Sequence, residues 1–226
     1  MRSQQALKRG IDVFGAALLL LILSPILFIV CALIFILEGR PIFYRSTRMT
    51  SATKGISILK FRTMVKDAKS DKYCLKERFM RDGYLDIPLS CEVYTGIGTL
   101  LERTQIVEIP QLWSILFDGM SFIGNRPLPA ENVNELKKFS GWEKRFDSPA
   151  GISGISQIVG KLNLLPEERL ELEKNYSQVY QNGNILTCDF LIVMNTFKLI
   201  LIGRGISLTK GQQFLVNCLK SHENKD

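Results

Sequence analysis

The stretch that most constrains this chain is "VFGAALLLLILSPILFIVCALIFIL", Val13 to Leu37, 25 consecutive residues without a charge. As a straight helix it would reach roughly 38 Å, longer than the about 30 Å of a bilayer's hydrocarbon core. A buried helix of a soluble domain carries polar interruptions. A cleaved signal sequence has a shorter apolar run and a small-residue cleavage site, whereas "EGRPIFYR" follows here. Membrane insertion is therefore the expectation. Ser24-Pro25 lies in the middle of the run, and proline removes a helix donor and crowds the carbonyl four residues back, so a bend is expected there. Lys8 and Arg9 precede the run, and Arg40, Arg45 and Arg48 follow it, which gives no clean inside-outside bias. Two topologies stay open. One is a bent helix that spans the bilayer. The other is a helix that dips into one leaflet and returns, with both basic flanks on the cytoplasmic face.

Behind this segment the chain reads as an α+β fold, a small and mainly helical domain with a short β element. The expected divisions are residues 1–40 for the basic segment and membrane helix, 41–202 for the domain, and 203–226 for a polar, loosely held C-terminal tail. Ile42 to Tyr44 and Ile56 to Phe61 read as short strands around a turn near Lys54-Gly55. "TLLERTQIVEIPQLWSILFDGMS" spaces its apolar residues by three and four, which predicts two short helices meeting near Glu108-Pro110. Pro110 suits a first helical turn, so Glu108 is expected at or just before a helix N-terminus, where free N–H groups favour anions. A further helix is expected from Pro166 to about Gln181, stopped by Asn182-Gly183. "DFLIVMNTFKLILIG" is a second apolar run, short for a span, and reads as a core or interfacial helix.

Composition narrows the chemistry. The net charge of +7 suits partners that carry phosphate. It does not point to nucleic acid, because no recognition helix, zinc spacing or aromatic-basic sheet motif accompanies it. The five cysteines include no CxxC pair, which argues against a disulfide framework or a structural zinc site. The single histidine, His222, lies in the polar tail, so a Ser-His-Asp or Cys-His arrangement is not expected. What remains is carboxylates, basic side chains and a bound divalent metal. Three candidates stand out: Lys60 and Arg62 of "KFRTM", Arg126 of "GNRP", and Glu108. An Arg in a rigid loop suits phosphate oxygens, and a Glu at a helix start suits a metal or acid-base role. Taken alone, each also fits a solvated surface charge or a favourable helix-cap charge.

In order, the chain carries a basic N-terminus, an apolar helix with a central Ser-Pro, "GRPIFYRSTR", "KFRTM", "EIPQLWSIL", "MSFIGNRPLP" and "PAGISGISQ". From about Lys8 to about Ile202 this series resembles the bacterial sugar transferase family, the monotopic polyprenyl-phosphate phosphoglycosyl transferases. The resemblance implies a membrane-embedded re-entrant helix-break-helix hairpin, broken at Ser24-Pro25, joined to a cytoplasmic domain at the inner membrane. It implies transfer of a phosphosugar from a UDP-linked sugar to undecaprenyl phosphate, which initiates an exopolysaccharide, O-antigen or capsule glycan. It also implies an Asp-Glu dyad with Mg²⁺ and the option of a homodimer, and it is compatible with the reading of Lys60, Arg62 and Arg126 as phosphate contacts.

The departures from the family pattern fall on the site itself. Where the family typically reads Ser-Leu-Asp-Glu-Leu-Pro-Gln, this chain reads Gln105-Ile106-Val107-Glu108-Ile109-Pro110-Gln111. Glu108 falls on the dyad glutamate, and Val107 on the nucleophile. Gly-Asp-Met-Ser becomes Asp118-Gly119-Met120-Ser121, Gly-Pro-Arg-Pro becomes Gly124-Asn125-Arg126-Pro127, and two positions often basic are Val93 and Glu102, the latter beside a retained Arg103. Several explanations compete. Glu108 or Asp118 attacks instead, or the lipid phosphate attacks directly with no covalent intermediate. Alternatively, the nucleophile lies elsewhere, Val107 is an introduced substitution or a natural loss, or the chain is a non-catalytic relative that binds lipid or nucleotide sugar or supports an active partner.

Overall fold

The computed structural model describes residues 2–81, 84–160 and 164–223. The chain forms two compact units, here unit I (Met1–Phe14, Arg48–Ile56 and Gly119–Asp226) and unit II (Gly15–Thr47 and Ser57–Asp118). The architecture is mixed and dominated by helices, with three two-stranded sheets among the described residues.

Helix α1 (Arg2–Glu38) contributes its first turns to unit I and the rest to unit II. The break expected at Ser24-Pro25 does not interrupt it. Pro25 has no N–H to give the Leu21 carbonyl, and the Ser24 Oγ donates to that carbonyl instead, at 2.8 Å. Within unit II, α1 presents Leu27, Val30, Cys31 and Ile34, one helical stripe, to Phe61, Leu101 and Val107. Its other faces remain open: Phe28 is 76% exposed and Ile36 75%.

Strands β1 (Phe43–Met49) and β2 (Gly55–Phe61) pair as expected from their alternation. In unit II, α2 (Leu75–Phe79) leads into the antiparallel pair β3 (Met80–Arg81) and β4 (Tyr84–Leu85), beside a small cluster around Ala68, Cys91 and Val93. Helix α3 (Gly96–Arg103) begins where the Thr95 Oγ1 accepts from the Gly98 N–H at 2.9 Å. A Cβ on Gly98 would lie 1.9 Å from the Thr63 carbonyl oxygen, so only glycine lets α3 lie against the residue that follows "KFR". A 3₁₀ turn (Ile106–Gln111) and α4 (Leu112–Phe117) complete the unit.

Unit I is built on β5 (Ser121–Ile123), α5 (Ala130–Leu136), β6 (Gly151–Ser153), which pairs parallel to β5, and α6 (Ile155–Val159). Helices α7 (Pro166–Asn182), α8 (Ile185–Ile202) and α9 (Leu208–Glu223) follow. Helix α7 has the predicted extent: the Glu168 carboxylate accepts from the Leu165 N–H at 2.9 Å, Pro166 stands in the first turn, and Gly183 ends it. The expected loose tail is instead α9, with Leu215 and Cys218 buried against Leu172, Tyr176 and Val179 of α7. Its few apolar positions recur at helical spacing inside a polar composition, which hid them from a reading by composition. Residues 224–226 of that expected tail lie outside the described residues.

Helix α8 is long and apolar enough to cross a membrane, with 18 residues and a mean hydropathy of 2.0. Its flanks argue otherwise. The Asn184 N–H before it donates to the Cys218 carbonyl of α9 at 3.1 Å, and the Ile206 N–H after it donates to the Ile158 carbonyl of α6 at 2.9 Å. Both ends of α8 thus rest on the same body. Ile185, Cys188 and Ile192 face the core, while Phe190, Met194, Phe197 and Leu201 form an exposed apolar stripe.

The start of α1 is bound into unit I by polar contacts. Lys8 is buried, its Nζ donating to the Asp189 Oδ2 (2.6 Å), the Ser121 Oγ (2.6 Å) and the Ile123 carbonyl (2.9 Å). Arg9 donates to the Met120 carbonyl at 2.8 Å, and Gln5 to the Tyr180 carbonyl at 3.0 Å. Lys8 is therefore no solvated flanking charge.

Candidate active site

The segment after α3 turns sharply. Gln105 adopts a left-handed conformation (φ 59°), and its carbonyl accepts from the Glu108 N–H at 3.1 Å, closing the first bend of the 3₁₀ turn. This turn sends two neighbours in different directions. Val107 goes inward and is 1% exposed, packed in the cluster of Val30, Ile34, Phe61 and Leu101. Glu108 goes toward β2, where its Oε1 accepts from the Lys60 Nζ at 2.8 Å. The two side chains keep 21% (Lys60) and 14% (Glu108) of their surface, so the pair is half-sheltered and reachable from solvent. Phe61, next to Lys60, stacks on Phe43 with ring centroids 5.4 Å apart, which fixes the strand end that carries the lysine.

The structure brings Lys60 to Glu108 but turns Arg62 elsewhere. The Arg62 Nη2 donates to the Glu38 carbonyl (3.1 Å), the Gly39 carbonyl (3.1 Å) and the Glu38 Oε2 (3.3 Å). A guanidinium there caps the carbonyl end of α1, a favourable place for a cation. Its Nε and Nη1 are buried with no hydrogen-bond partner among the described residues. Arg62 thus holds the exit of the membrane helix in this structure, with its side chain 8% exposed. Asp118 is exposed and lies just past α4, at the end away from Glu108. Helix α4 separates it along the chain from the 3₁₀ turn that carries Glu108.

Two residues that depart from the family pattern also lie in this unit. Val93 is fully buried in the cluster around Ala68 and Cys91. The Glu102 Oε1 accepts from the Thr63 Oγ1 at 3.0 Å. Burial first, with the charges of Glu102 and Asp86, pushes the Tyr94 phenol up to about 12, so it stays neutral at physiological pH.

Arg126 belongs to unit I. It is half-buried, its Nη1 donates to the Ile152 carbonyl at 3.2 Å, and its own carbonyl accepts from the Arg145 Nη2 at 3.0 Å. Beside it lies a buried polar core that sequence reasoning missed. The Arg145 Nε donates to the Glu173 Oε2 at 2.8 Å, with both side chains 1% exposed. The Asn125 Nδ2 reaches the Arg145 carbonyl (2.7 Å) and the Glu173 carbonyl (3.0 Å). Asn125, in place of the family's usual proline, is thus a core residue. The available signal was weak: charged residues on the apolar side of α7, which a charged surface helix also shows.

Among the described residues no group of three or more His, Cys, Asp or Glu side chains is placed to hold a metal ion. The 3₁₀ turn supplies one carboxylate, Glu108. That fits Mg²⁺ in its common binding mode, with one or two protein carboxylates, retained waters and the oxygens of a substrate's phosphates. The Lys60 ammonium occupies that carboxylate here, so metal and lysine would compete for it.

Residues 3–203 match the bacterial sugar transferase family. The chain is similar to the exopolysaccharide production protein ExoY of Rhizobium meliloti (strain 1021), 28% identical over 206 residues, covering 88% of this chain and 87% of that protein. It is similar to the UDP-glucose:undecaprenyl-phosphate glucose-1-phosphate transferase of Escherichia coli (strain K12), 30% identical over 197 residues, covering 84% of this chain and 40% of that protein. It is also 27% identical over 201 residues to the UDP-N-acetylgalactosamine-undecaprenyl-phosphate N-acetylgalactosaminephosphotransferase of Aeromonas hydrophila, covering 88% of this chain and 44% of that protein. The chain thus spans most of ExoY and less than half of the other two.

Proposed function

Because the chain belongs to the bacterial sugar transferase family, we propose that it is a membrane-bound enzyme that moves a sugar phosphate from a UDP-linked sugar to undecaprenyl phosphate, initiating a surface glycan. The observation that carries this reading is the family match over residues 3–203, which includes Lys60, Glu108 and Arg126. The relatives' names, with their UDP-sugars, undecaprenyl phosphate and exopolysaccharide, support the substrates and the pathway class.

The mechanism we infer has no covalent enzyme intermediate. Val107 lies at the family's nucleophile position, is buried, and has no atom that can attack phosphorus. The lipid phosphate oxygen attacks the sugar-bearing phosphorus directly. A new P–O bond forms, the bond from that phosphorus to the bridging oxygen breaks, and UMP leaves. Lys60 supplies positive charge to the phosphoryl oxygens as the bond order changes, a form of electrostatic stabilisation. Glu108, released from Lys60 as the diphosphate arrives, would hold Mg²⁺. Bound there, the ion would offset the charge of the diphosphate and of the leaving UMP. We retain Arg126 as a proposed phosphate contact, on the planar fit of guanidinium to phosphate.

We infer that α1, continuous through Ser24-Pro25, keeps both of its ends on one face of the membrane by bending within one leaflet rather than by a break between two helices. Residues 5–12 bond to Met120, Ser121, Ile123, Tyr180 and Asp189. Residues 38 and 39 bond to Arg62. Among the described residues between 39 and 184, no helix is long and apolar enough to cross a membrane. Both ends of α1 therefore belong on one side, which we assign as the cytoplasmic face of the inner membrane, where nucleotide sugars are present. The exposed α8 stripe of Phe190, Met194, Phe197 and Leu201, flanked by Lys198 and Arg204, suits a helix resting in the interface of an anionic bilayer.

Purified protein with Mg²⁺, UDP-sugars and undecaprenyl phosphate tests the activity. Lipid-dependent UMP release is expected, and a chelator should abolish it. A second reading has its own support, since Lys60 and Glu108 already satisfy each other in a binding-only protein. No turnover with any UDP-sugar, followed by turnover in Val107→Asp, would establish that second reading.

A further inference from the structure

We propose that Asp189, far along the chain, is the residue that keeps the start of α1 on the globular domain's side of the membrane. The proposal rests on the one-face reading of α1 given above and adds what enforces it. Flanking charge does not, because basic residues stand on both sides of the apolar run. A second observation weakens the charge rule further. Lys8, one of three basic residues before the run, is 5% exposed and lies between Asp12 (3.7 Å, 6% exposed) and Asp189 (2.6 Å, 14% exposed). Two carboxylates more than offset its single charge.

The cluster is closed on every side. The Lys8 ammonium has three acceptors for its three protons: Asp189, Ser121 and the Ile123 carbonyl. Asp12 accepts from the Ser121 Oγ at 2.7 Å and from the Phe122 N–H at 3.1 Å. The second oxygen of Asp189 accepts from the Tyr176 hydroxyl at 2.8 Å. Elements α1, β5, α7 and α8 each supply a member. A buried ammonium with all its partners is stable where it is; removing Asp189 takes away the shorter of its two ion contacts (2.6 Å, against 3.7 Å to Asp12) and leaves it poorly paired and out of water. The stranded Lys8 regains hydration only if α1 leaves the domain, and its apolar run then lets it span the bilayer instead. Lys8 and Asp189 are separated by 181 positions. The orientation taken early in synthesis is therefore provisional and is locked only when β5, α7 and α8 have formed.

The test uses the full chain in spheroplasts and a membrane-impermeant maleimide. Ser3→Cys reports the N-terminal side, and the exposed native Cys74 reports the side of the domain. In the otherwise native chain neither should react from outside. Asp189→Asn should raise outside labelling of Cys at position 3 at least tenfold, with Cys74 still protected. The N-terminal flank is untouched in that variant, so the positive-inside rule predicts no change. The charge-swapped pair Lys8→Asp with Asp189→Lys should return the label to background, although it makes the N-terminal flank less basic. Ile192→Ala loosens the same core without touching the cluster and should leave orientation unchanged. Background labelling in Asp189→Asn, equal labelling in Ile192→Ala, or no recovery in the charge swap would overturn the proposal. Outside labelling at position 3 in the native chain would instead overturn the one-face reading itself.

Discussion

Val107 and Glu108 are neighbours with opposite surroundings, and each supports its own prediction. Val107 fills an apolar cluster, and Val107→Asp places a carboxylate among Val30, Ile34, Phe61 and Leu101. The expected cost is about 3 kcal/mol, or roughly 6–12 °C of melting temperature for a chain of this size. Burial favours the protonated acid, so the loss should be largest at neutral and alkaline pH and shrink as the pH falls toward about 5. Thermal unfolding in detergent across pH measures it; an unchanged melting temperature would mean that the cluster opens to water. Glu108→Gln keeps the shape but loses the charge. UMP release should fall about 100-fold, with a stability change within about 1 kcal/mol because the pair with Lys60 is partly exposed. Full activity in Glu108→Gln would remove Glu108 from the mechanism. The sequence made Glu108 legible through its place beside Pro110 and Val107 through the family pattern. It did not show that Arg62 would turn to the end of α1, since a strand's last residues do not reveal which way a long side chain folds back.

At the scale of elements, periodicity made most helices and the β1–β2 pair legible. Helix α7 stands within a residue of its predicted limits because its signals are local: Pro166 and Glu168 at one end, Gly183 at the other. Helix α9 was missed because its buried residues are few and its composition polar. The bend signal at Ser24-Pro25 does not break the helix, because a hydroxyl three residues from Leu21 gives that carbonyl the donor that Pro25 lacks. The least legible feature is the ion pair on the buried side of α7. Glu173→Ala leaves Arg145 without its partner in a site 1% exposed, and should cost about 3–5 kcal/mol. Chemical denaturation of the purified chain checks it; a loss under about 1 kcal/mol would mean that water reaches Arg145. Because α1 alone keeps the protein in the membrane, contact by α8 is read locally: a polarity-sensitive fluorophore at Phe197→Cys should emit at shorter wavelength in vesicles than one at Arg204→Cys, and equal emission would remove α8 from the membrane.

For the whole molecule, the account joins a membrane helix held at both ends, a lysine–glutamate pair beside a buried valine, and the family match into one reaction. In the proposed reaction, lipid and nucleotide sugar meet at a cytoplasmic site, and the phosphosugar passes between them in a single displacement. The measurement that tests this most directly is the intact mass of the protein after mixing with Mg²⁺ and a UDP-sugar that supports turnover, with and without undecaprenyl phosphate. The account predicts an unmodified protein in both cases and UMP only when the lipid is present. A phosphosugar adduct on the protein, with UMP released before lipid is added, would contradict it.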